Sequence, residues 1–220
     1  IPTIGTINIH ASLLPQYRGA APINWAIING EKQTGVTSFI INEVIDTGNI
    51  LLQKSVPIDE DETAGTLHDK LQESGSQLLL ETLKLLESGE QKGISQKTLF
   101  IDEKDLKPAP KIFKQTCKIN WDNTAKDVNN AIRGFSPYPG AWTILQKGDE
   151  KFVFKIFSAK IINESHSLQS GTIVLKNNTI QIAVRDGFIS PIEIQIEGKK
   201  RMNIHDFTNG FSFANVIIAD

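Results

Sequence analysis

The sequence predicts an α/β part followed by a small all-β part, on three observations. Short β-branched runs alternate with two helical patterns over residues 1–89. From residue 143 onward, short β-like runs are separated by turn residues at regular intervals, a pattern typical of a small barrel or sandwich. The two parts also differ in charge: residues 1–110 hold 9 Lys and Arg against 15 Asp and Glu, whereas residues 111–220 hold 14 against 10.

The first part is predicted to contain three strands and two helices. Residues 6–10 form a short apolar run that predicts a buried strand. The run that starts at Pro22 predicts a helix, because proline fits the first turn, where its missing N–H would be unpaired in any case. Residues 34–44 and 50–58 are β-branched with few charges and predict two further strands.

A leucine stripe over residues 64–88 predicts a long helix, capped by Thr63 and ended by Gly89. Residues 90–110 are polar and irregular, and they close on two prolines that favour an extended linker. We therefore expect domains at residues 1–89 and 111–220, joined by the linker 90–110. A third helix is expected over residues 124–133, with Asn123 as its cap.

Composition bounds the class of protein. The chain has 220 residues, 40% hydrophobic and 22% charged, which is ordinary for a globular protein. Its single cysteine, Cys117, can form no internal disulfide and fits a reducing, cytoplasmic location. No stretch reaches the roughly 18 apolar residues that span a bilayer, so no membrane partner is expected. The first residue is Ile1 rather than Met, and we expect the chain either to begin inside a longer protein or to have had its start removed.

Two polar residues interrupt the first predicted strand. Asn8 and His10 are two residues apart and therefore point to the same face, near the end of the strand. Asp46 follows the end of the strand predicted at 34–44. Ligands of open α/β sheets bind outside the carboxyl ends of the strands, so neighbouring strands would bring the three groups together. By spacing alone, a structural histidine and a turn-forming aspartate are the commoner interpretation.

The three groups would suit attack of an amine on a carbonyl. The Asn8 amide can donate a hydrogen bond to an oxyanion. A histidine can move a proton near neutral pH, and an aspartate can fix its tautomer and stabilise its charged form. No Ser or Cys nucleophile is obviously placed beside them, so direct transfer to an acceptor is favoured over a covalent intermediate.

Longer motifs resemble a known family. The run "NIHASLLPQYRGAAPINWAIINGEKQTGVT", followed by "DTGNILLQ", resembles the folate-dependent formyltransferases. Four segments, "RGAAP", "APKI", "INWDNTAKDVNNAIRGFSPYPGAW" and "EIQIEGKKRMNIHDFTNGF", most resemble the branch that acts on methionyl-tRNA. The resemblance implies the C-terminal part of a doubly wound sheet domain, followed by an OB-like barrel that binds tRNA. It also implies that roughly the first hundred residues of the family fold are lacking, which would leave an open sheet edge.

The resemblance implies transfer of a formyl group from 10-formyltetrahydrofolate to the amino group of methionine on initiator tRNA. It assigns catalysis to Asn8, His10 and Asp46. It places backbone contacts to the folate ring at Val44 and Ile45. It assigns further folate contacts to the "SLLP" segment, Ser12, Leu13, Leu14 and Pro15. No metal is implied, and we expect a monomer.

Four basic residues are candidates for substrate or tRNA contact. Arg18 lies in the "QYRGAAP" loop, where bracing of the loop by hydrogen bonds is the alternative. Lys199, Lys200 and Arg201 sit together in a predicted turn and would meet phosphates, with a solvated surface as the alternative.

The sequence leaves three other possibilities for the activity of this chain. Since part of the pocket would be missing, we expect this chain alone to be inactive. Related formyltransferases act on sugar-nucleotide amines, and the protein could belong with them. It could also be a tRNA-binding fragment without catalysis.

Overall fold

The computed structural model describes residues 5–89, 93–100, 102–176 and 179–219. The chain divides into two compact units, Ile1–Ile112 and Phe113–Asp220. In the described part, no helix is both long and apolar enough to cross a membrane.

The first unit contains a three-stranded sheet and two helices. The strands are β1 (Ile7–His10), β2 (Gln33–Ile40) and β3 (Ile50–Pro57), in the order β1-β2-β3. The helices are α1 (Pro22–Ile28) and α2 (Ala64–Glu87). Thr63 caps α2 as predicted, and its side chain accepts the Thr66 N–H in a capping box. Each element predicted for this unit is present, with ends that differ by a few residues.

The pairing of the strands differs from the predicted doubly wound sheet. Both pairs are antiparallel: His10 lies opposite Thr37, and Thr34 lies opposite Val56. Residues 41–49 connect β2 to β3 and are too few for the crossover that a parallel pair requires. The carboxyl ends of β1 and β2 therefore lie at opposite ends of the sheet, so the predicted meeting of those two ends does not occur.

The sheet has two chemically different faces. One face packs on α2, where Ile9 and Val36 meet the apolar side of that helix and Thr82 donates to the Ser38 hydroxyl at 2.8 Å. Strand alternation places Asn8 and His10 on the opposite face. The helix thus supports the sheet from behind and leaves the face that bears both polar residues clear of α2.

Part of the leucine stripe on α2 remains exposed. Leu79 is 37% exposed and Leu83 is 44% exposed. A cavity of about 340 Å³ lies between α1, α2 and β1, and a groove of about 330 Å³ runs beside Ile7 and Ile40. Among the described strands β1 pairs only with β2, so this apolar region borders an edge strand.

The segment predicted as a linker contributes contacts to the first unit over its described part. Ile94 and Ile50 exchange backbone hydrogen bonds of 2.7 and 2.9 Å. Ala109 donates its N–H to the Arg18 carbonyl at 2.8 Å, and the side chain of Gln96 is only 1% exposed. These contacts bring residues from beyond α2 next to the polar face of the sheet.

The second unit is a curled antiparallel sheet with two helices. Helix α3 (Ala125–Gly134) is capped by Thr124, whose hydroxyl accepts the Asp127 N–H, rather than by the predicted Asn123. Helix α4 spans Ile204–Gly210. The strands are β4 (Ala141–Lys147), β5 (Glu150–Ile162), β6 (Ile173–Lys176), β7 (Thr179–Val184), β8 (Gly187–Ile196), β9 (Met202–Asn203) and β10 (Val216–Ala219).

The strand order of the second unit is β10-β4-β5-β8-β7-β6, with β9 beside β8. The two ends of this order, β10 and β6, come close to each other. No ladder joins them among the described residues, so the predicted OB-like barrel is not confirmed and the observed architecture is a curled sheet.

Candidate active site

His10 ends β1 and is held in one orientation. Its ring is only 7% exposed, and Nε2 lies 2.8 Å from the Tyr17 carbonyl oxygen. A carbonyl oxygen can only accept a hydrogen bond, so Nε2 must carry a hydrogen in the neutral as well as the charged ring. Nδ1 faces the Asp46 carboxylate, with 3.8 Å between Nδ1 and Oδ2. Nδ1 is therefore the atom at which His10 can gain or lose a proton.

Asp46 reaches His10 from the loop between β2 and β3. Its Oδ2 accepts the Gly19 N–H at 2.9 Å, and its φ of +56° lies in the left-handed region. Aspartate is among the residues that tolerate this region. Gly48 lets the loop turn close to β2, because a Cβ there would stand 1.6 Å from the Ile40 carbonyl oxygen. The loop thus folds back along the sheet and delivers a carboxylate to the end of the neighbouring strand.

Tyr17 fixes the carbonyl that holds His10. Its φ of +60° is an unusual conformation for a bulky residue, and its hydroxyl donates to Glu31 Oε1 at 2.6 Å. Lys107 Nζ donates to the same carboxylate oxygen at 2.5 Å. Burial, then the bond to Glu31, raises the pKa of Tyr17. Burial alone would raise the pKa of Glu31, but the bonds from Lys107 and Tyr17 outweigh it and lower that pKa.

Asn8 shares the sheet face of His10 but is exposed to solvent. Within the described part of the chain its side-chain amide makes no hydrogen bond, so both N–H groups can reach a ligand. Of the three candidate catalytic residues, the structure brings His10 and Asp46 together and places Asn8 two residues before His10 on the same strand.

Arg18 braces the loop that carries it. Its Nε and Nη2 donate to Gln96 Oε1 at 3.0 and 2.6 Å, and its guanidinium carbon lies 5.8 Å from the centre of the Phe100 ring. Burial lowers the pKa of Arg18, and the charges of Glu103 and Asp46 act in the opposite direction. These contacts fit the bracing alternative, although Nη1 makes no hydrogen bond within the described residues and can still meet a substrate.

Comparison with known proteins decides the family. Residues 1–83 match the family model described as formyl transferase, and residues 111–212 match the one described as formyl transferase, C-terminal domain. The methionyl-tRNA formyltransferase of Flavobacterium johnsoniae is 46% identical over 98% of this chain and 67% of its own length. That of Azobacteroides pseudotrichonymphae is 50% identical over 97% and 67%. The chain belongs to the methionyl-tRNA formyltransferases.

The chain spans about two thirds of the length of these curated methionyl-tRNA formyltransferases. The alignments cover nearly all of this chain and do not support the expected lack of an initial segment. A more distant formyltransferase agrees in fold. An N-formyltransferase from Helicobacter canadensis, solved with folinic acid and dTDP-3-aminofucose, is 25% identical with a TM-score of 0.63, over 84% of this chain and 65% of that one.

The "SLLP" segment of this formyltransferase is largely buried in the described structure. Ser12, Leu14 and Pro15 are buried, and Leu13 is half-buried. The Leu14 N–H donates to Thr37 Oγ1 at 3.1 Å, and its carbonyl oxygen accepts from the Gln53 side chain at 2.8 Å. Of the four residues in this segment, Leu13 is therefore the one with a partly exposed side chain.

The basic cluster of the second unit, Lys199, Lys200 and Arg201, is exposed, and its members differ in their side-chain contacts. Arg201 donates to Glu193 Oε2 at 2.6 Å and stacks 4.1 Å from the centre of the Phe157 ring. Lys199 and Lys200 are exposed, and their ammonium groups form no ion pair among the residues that the structure describes. These two lysines are the members of the cluster that can reach a phosphate.

Sequence reasoning missed Tyr17 and Gln96. Tyr17 contacts His10 from seven residues away, and Gln96 contacts the Asp46 backbone from fifty residues away, so no local periodicity signals either role. Over the described residues, no group of three or more His, Cys, Asp or Glu side chains could hold a metal ion.

Proposed function

We propose that Asn8, His10 and Asp46 perform the transfer of a formyl group from 10-formyltetrahydrofolate to the methionine amino group of initiator tRNA. The observation that carries this proposal is the fixed orientation of the His10 ring. Its Nε2 is hydrogen-bonded to the Tyr17 carbonyl oxygen, and its Nδ1 faces the Asp46 carboxylate. The same sheet face carries an exposed amide donor at Asn8. Membership of the methionyl-tRNA formyltransferases supports both the donor class and the acceptor.

In the first step, the neutral methionyl amine attacks the formyl carbon and a carbon–nitrogen bond forms. Negative charge develops on the formyl oxygen as its π bond opens. The Asn8 N–H and the Nδ1–H of protonated His10 would donate to that oxygen, which is the kind of stabilisation that acts on the transition state. Asp46 attracts the charged imidazole across the 3.8 Å between Oδ2 and Nδ1, and the lack of a direct hydrogen bond at that distance leaves the Nδ1–H available to the formyl oxygen.

In the second step, the intermediate collapses and the bond from carbon to N10 of tetrahydrofolate breaks. The departing N10 takes a proton, which His10 Nδ1 supplies. The nitrogen that attacked loses one proton, which passes to Asp46 through a water molecule, and Asp46 returns it to His10. Each turnover therefore moves one proton from the amine to tetrahydrofolate and leaves the three residues unchanged.

The apolar residues around Asp46 would form the folate wall. Val44 is 63% exposed and Ile45 is 77% exposed, directly before the aspartate. In this proposal, these two exposed side chains and half-buried Leu13 supply the apolar contacts to the pterin ring, and the loop backbone hydrogen-bonds to its edge. Ser12, Leu14 and Pro15 would support this wall from beneath.

The choice of acceptor is tested by supplying two amines to the purified full-length protein. With 10-formyltetrahydrofolate present, we expect mass spectrometry to show formylated methionyl-tRNA and no formylated dTDP-3-aminofucose. Formylation of the sugar nucleotide alone would overturn the proposed acceptor. Binding of tRNA without formylation of either amine would overturn catalysis and leave a binding protein.

The role of the basic cluster is tested by reversing two charges. We propose that Lys199 and Lys200 contact tRNA phosphates, so Lys199→Glu/Lys200→Glu should weaken tRNA binding and reduce the slope of log affinity against log salt by about two. Affinity would be measured across a salt series by fluorescence anisotropy.

The matched control for that pair is Lys151→Glu/Lys160→Glu, which changes two exposed lysines of β5 and gives the same net charge. An equal loss of affinity in both double variants would assign the effect to net charge and contradict a specific contact. Unchanged affinity and slope in the Lys199→Glu/Lys200→Glu variant would remove this cluster from the tRNA surface.

A further inference from the structure

Gln96 joins the two loops that meet at His10. Its Oε1 accepts both hydrogen bonds from Arg18, in the loop that precedes α1. Its Nε2 donates to the Asp46 carbonyl oxygen at 2.9 Å and to the Gly48 carbonyl oxygen at 2.8 Å, in the loop between β2 and β3. The buried amide therefore uses two donated and two accepted hydrogen bonds and has no capacity left over.

The chemistry of these contacts requires a primary amide. One end must accept from a guanidinium, and the other must donate to two carbonyl oxygens. A carboxylate would satisfy Arg18 but would present an acceptor to two acceptors. Two backbone hydrogen bonds between Ile94 and Ile50 hold the segment that carries Gln96 against the sheet, and they fix the position of the Gln96 backbone.

The hydrogen bonds of Gln96 hold a backbone segment that contains an unusual conformation. Asp46 lies in the left-handed region, and conformations of this kind persist where surrounding contacts determine them. Two such contacts bear on Asp46: the Gly19 N–H on its carboxylate and the Gln96 amide on its carbonyl. If the second is lost, the loop can relax, and the carboxylate turns away from Nδ1 of His10.

We propose that Gln96 is a positioning residue for formyl transfer, which fixes the Asp46 carboxylate opposite His10 by holding the main chain at Asp46 and Gly48. This inference rests on the proposed function, because it assumes that Asp46 supports a charged His10. Gln96 touches neither the reacting atoms nor the folate wall in this assignment. It acts through Asp46.

The sharpest test is Gln96→Glu, a change of nearly identical shape. It keeps the acceptor for Arg18 and removes both donors to the Asp46 loop, so only the link from Gln96 to that loop is lost. Displacement of a reacting group by about 1 Å can lower turnover by about a hundredfold. In the full-length enzyme we expect kcat to fall by about tenfold to a hundredfold, with KM for methionyl-tRNA within about twofold of the parent.

A second readout requires no catalysis. The Gly19 N–H is protected by Asp46 Oδ2, so its hydrogen exchange reports whether the carboxylate is in place. We expect the exchange of Gly19 to be at least about tenfold faster in Gln96→Glu, while the amides of α2 keep the rates of the parent. A purely structural role would instead accelerate exchange across the unit.

Gln96→Met also removes both donors and introduces no buried charge, at the cost of the Arg18 acceptor, and it is the second variant in case Gln96→Glu does not fold. Gln181→Glu, a buried glutamine of the second unit, is the matched control, and we expect it to leave Gly19 exchange unchanged. Parent values of kcat or of Gly19 exchange in a folded Gln96 variant would overturn the positioning role. Selective loss of Gly19 protection in a protein whose parent formylates no methionyl-tRNA would instead contradict the proposed function.

Discussion

Asp46→Asn should lower the turnover of the full-length enzyme by at least about a hundredfold, the usual scale for loss of a proton-transfer group. Asparagine keeps an oxygen for the Gly19 N–H, and it tolerates the left-handed conformation at this position. What it removes is the negative charge 3.8 Å from His10 Nδ1. A neutral amide neither stabilises an imidazolium nor accepts the proton of the attacking amine.

Asparagine is a sharper replacement for Asp46 than alanine. Alanine at a φ of +56° would strain the loop, and a loss of turnover could then come from misfolding. The measurement is single-turnover formylation of methionyl-tRNA, together with the thermal midpoint of unfolding. Glu43→Gln removes a charge from an exposed residue of the same loop and should leave turnover close to that of the parent. Parent turnover in folded Asp46→Asn would remove the aspartate from the mechanism.

His10 and Asp46 lie close together, as the sequence predicted, but the strand arrangement that brings them together is not the one expected. Neighbouring parallel strands would have brought their carboxyl ends to one edge of the sheet. The strands are antiparallel, and His10 stands opposite Thr37, before the end of β2. The carboxylate arrives because residues 41–49 turn back along the sheet, with Gly48 packed against the Ile40 carbonyl.

Local patterns predicted the elements of the fold well. Periodicity and end signals placed α2 and its Thr63 cap, because such features depend on neighbours within one helical turn. Strand alternation likewise placed Asn8 and His10 on one face. The direction in which strands pair depends on contacts between distant residues, so the antiparallel pairing of the three described strands did not follow from local patterns.

The support around His10 could not be predicted from the sequence. Gln96 follows Asp46 by fifty residues, and Lys107 reaches Glu31 across seventy-six. Each is an isolated polar residue in a segment that resembled a solvated linker. Only the folded chain shows the contacts that these two side chains make. Gln96 supports Asp46, and Lys107 supports Glu31 beside Tyr17, so both act on the residues that contact His10.

Asn8→Ala should lower turnover by at least about a hundredfold and leave the stability of the protein almost unchanged. The scale is that of a lost oxyanion donor. Asn8 is exposed on an edge strand, and within the described residues its amide makes no hydrogen bond that the folded state could lose. Exposed substitutions of this kind change the free energy of unfolding by about 0.5 kcal/mol or less.

The kinetic signature separates an oxyanion donor from a binding contact. The formyl oxygen carries full negative charge only near the transition state, so Asn8→Ala should lower kcat and kcat/KM by the same factor, with KM for methionyl-tRNA and for the folate donor unchanged. Asn163→Ala, at an exposed position of the second unit, controls for the substitution itself. A raised KM at constant kcat would reassign Asn8 to ground-state binding, and parent kinetics would exclude it from the site.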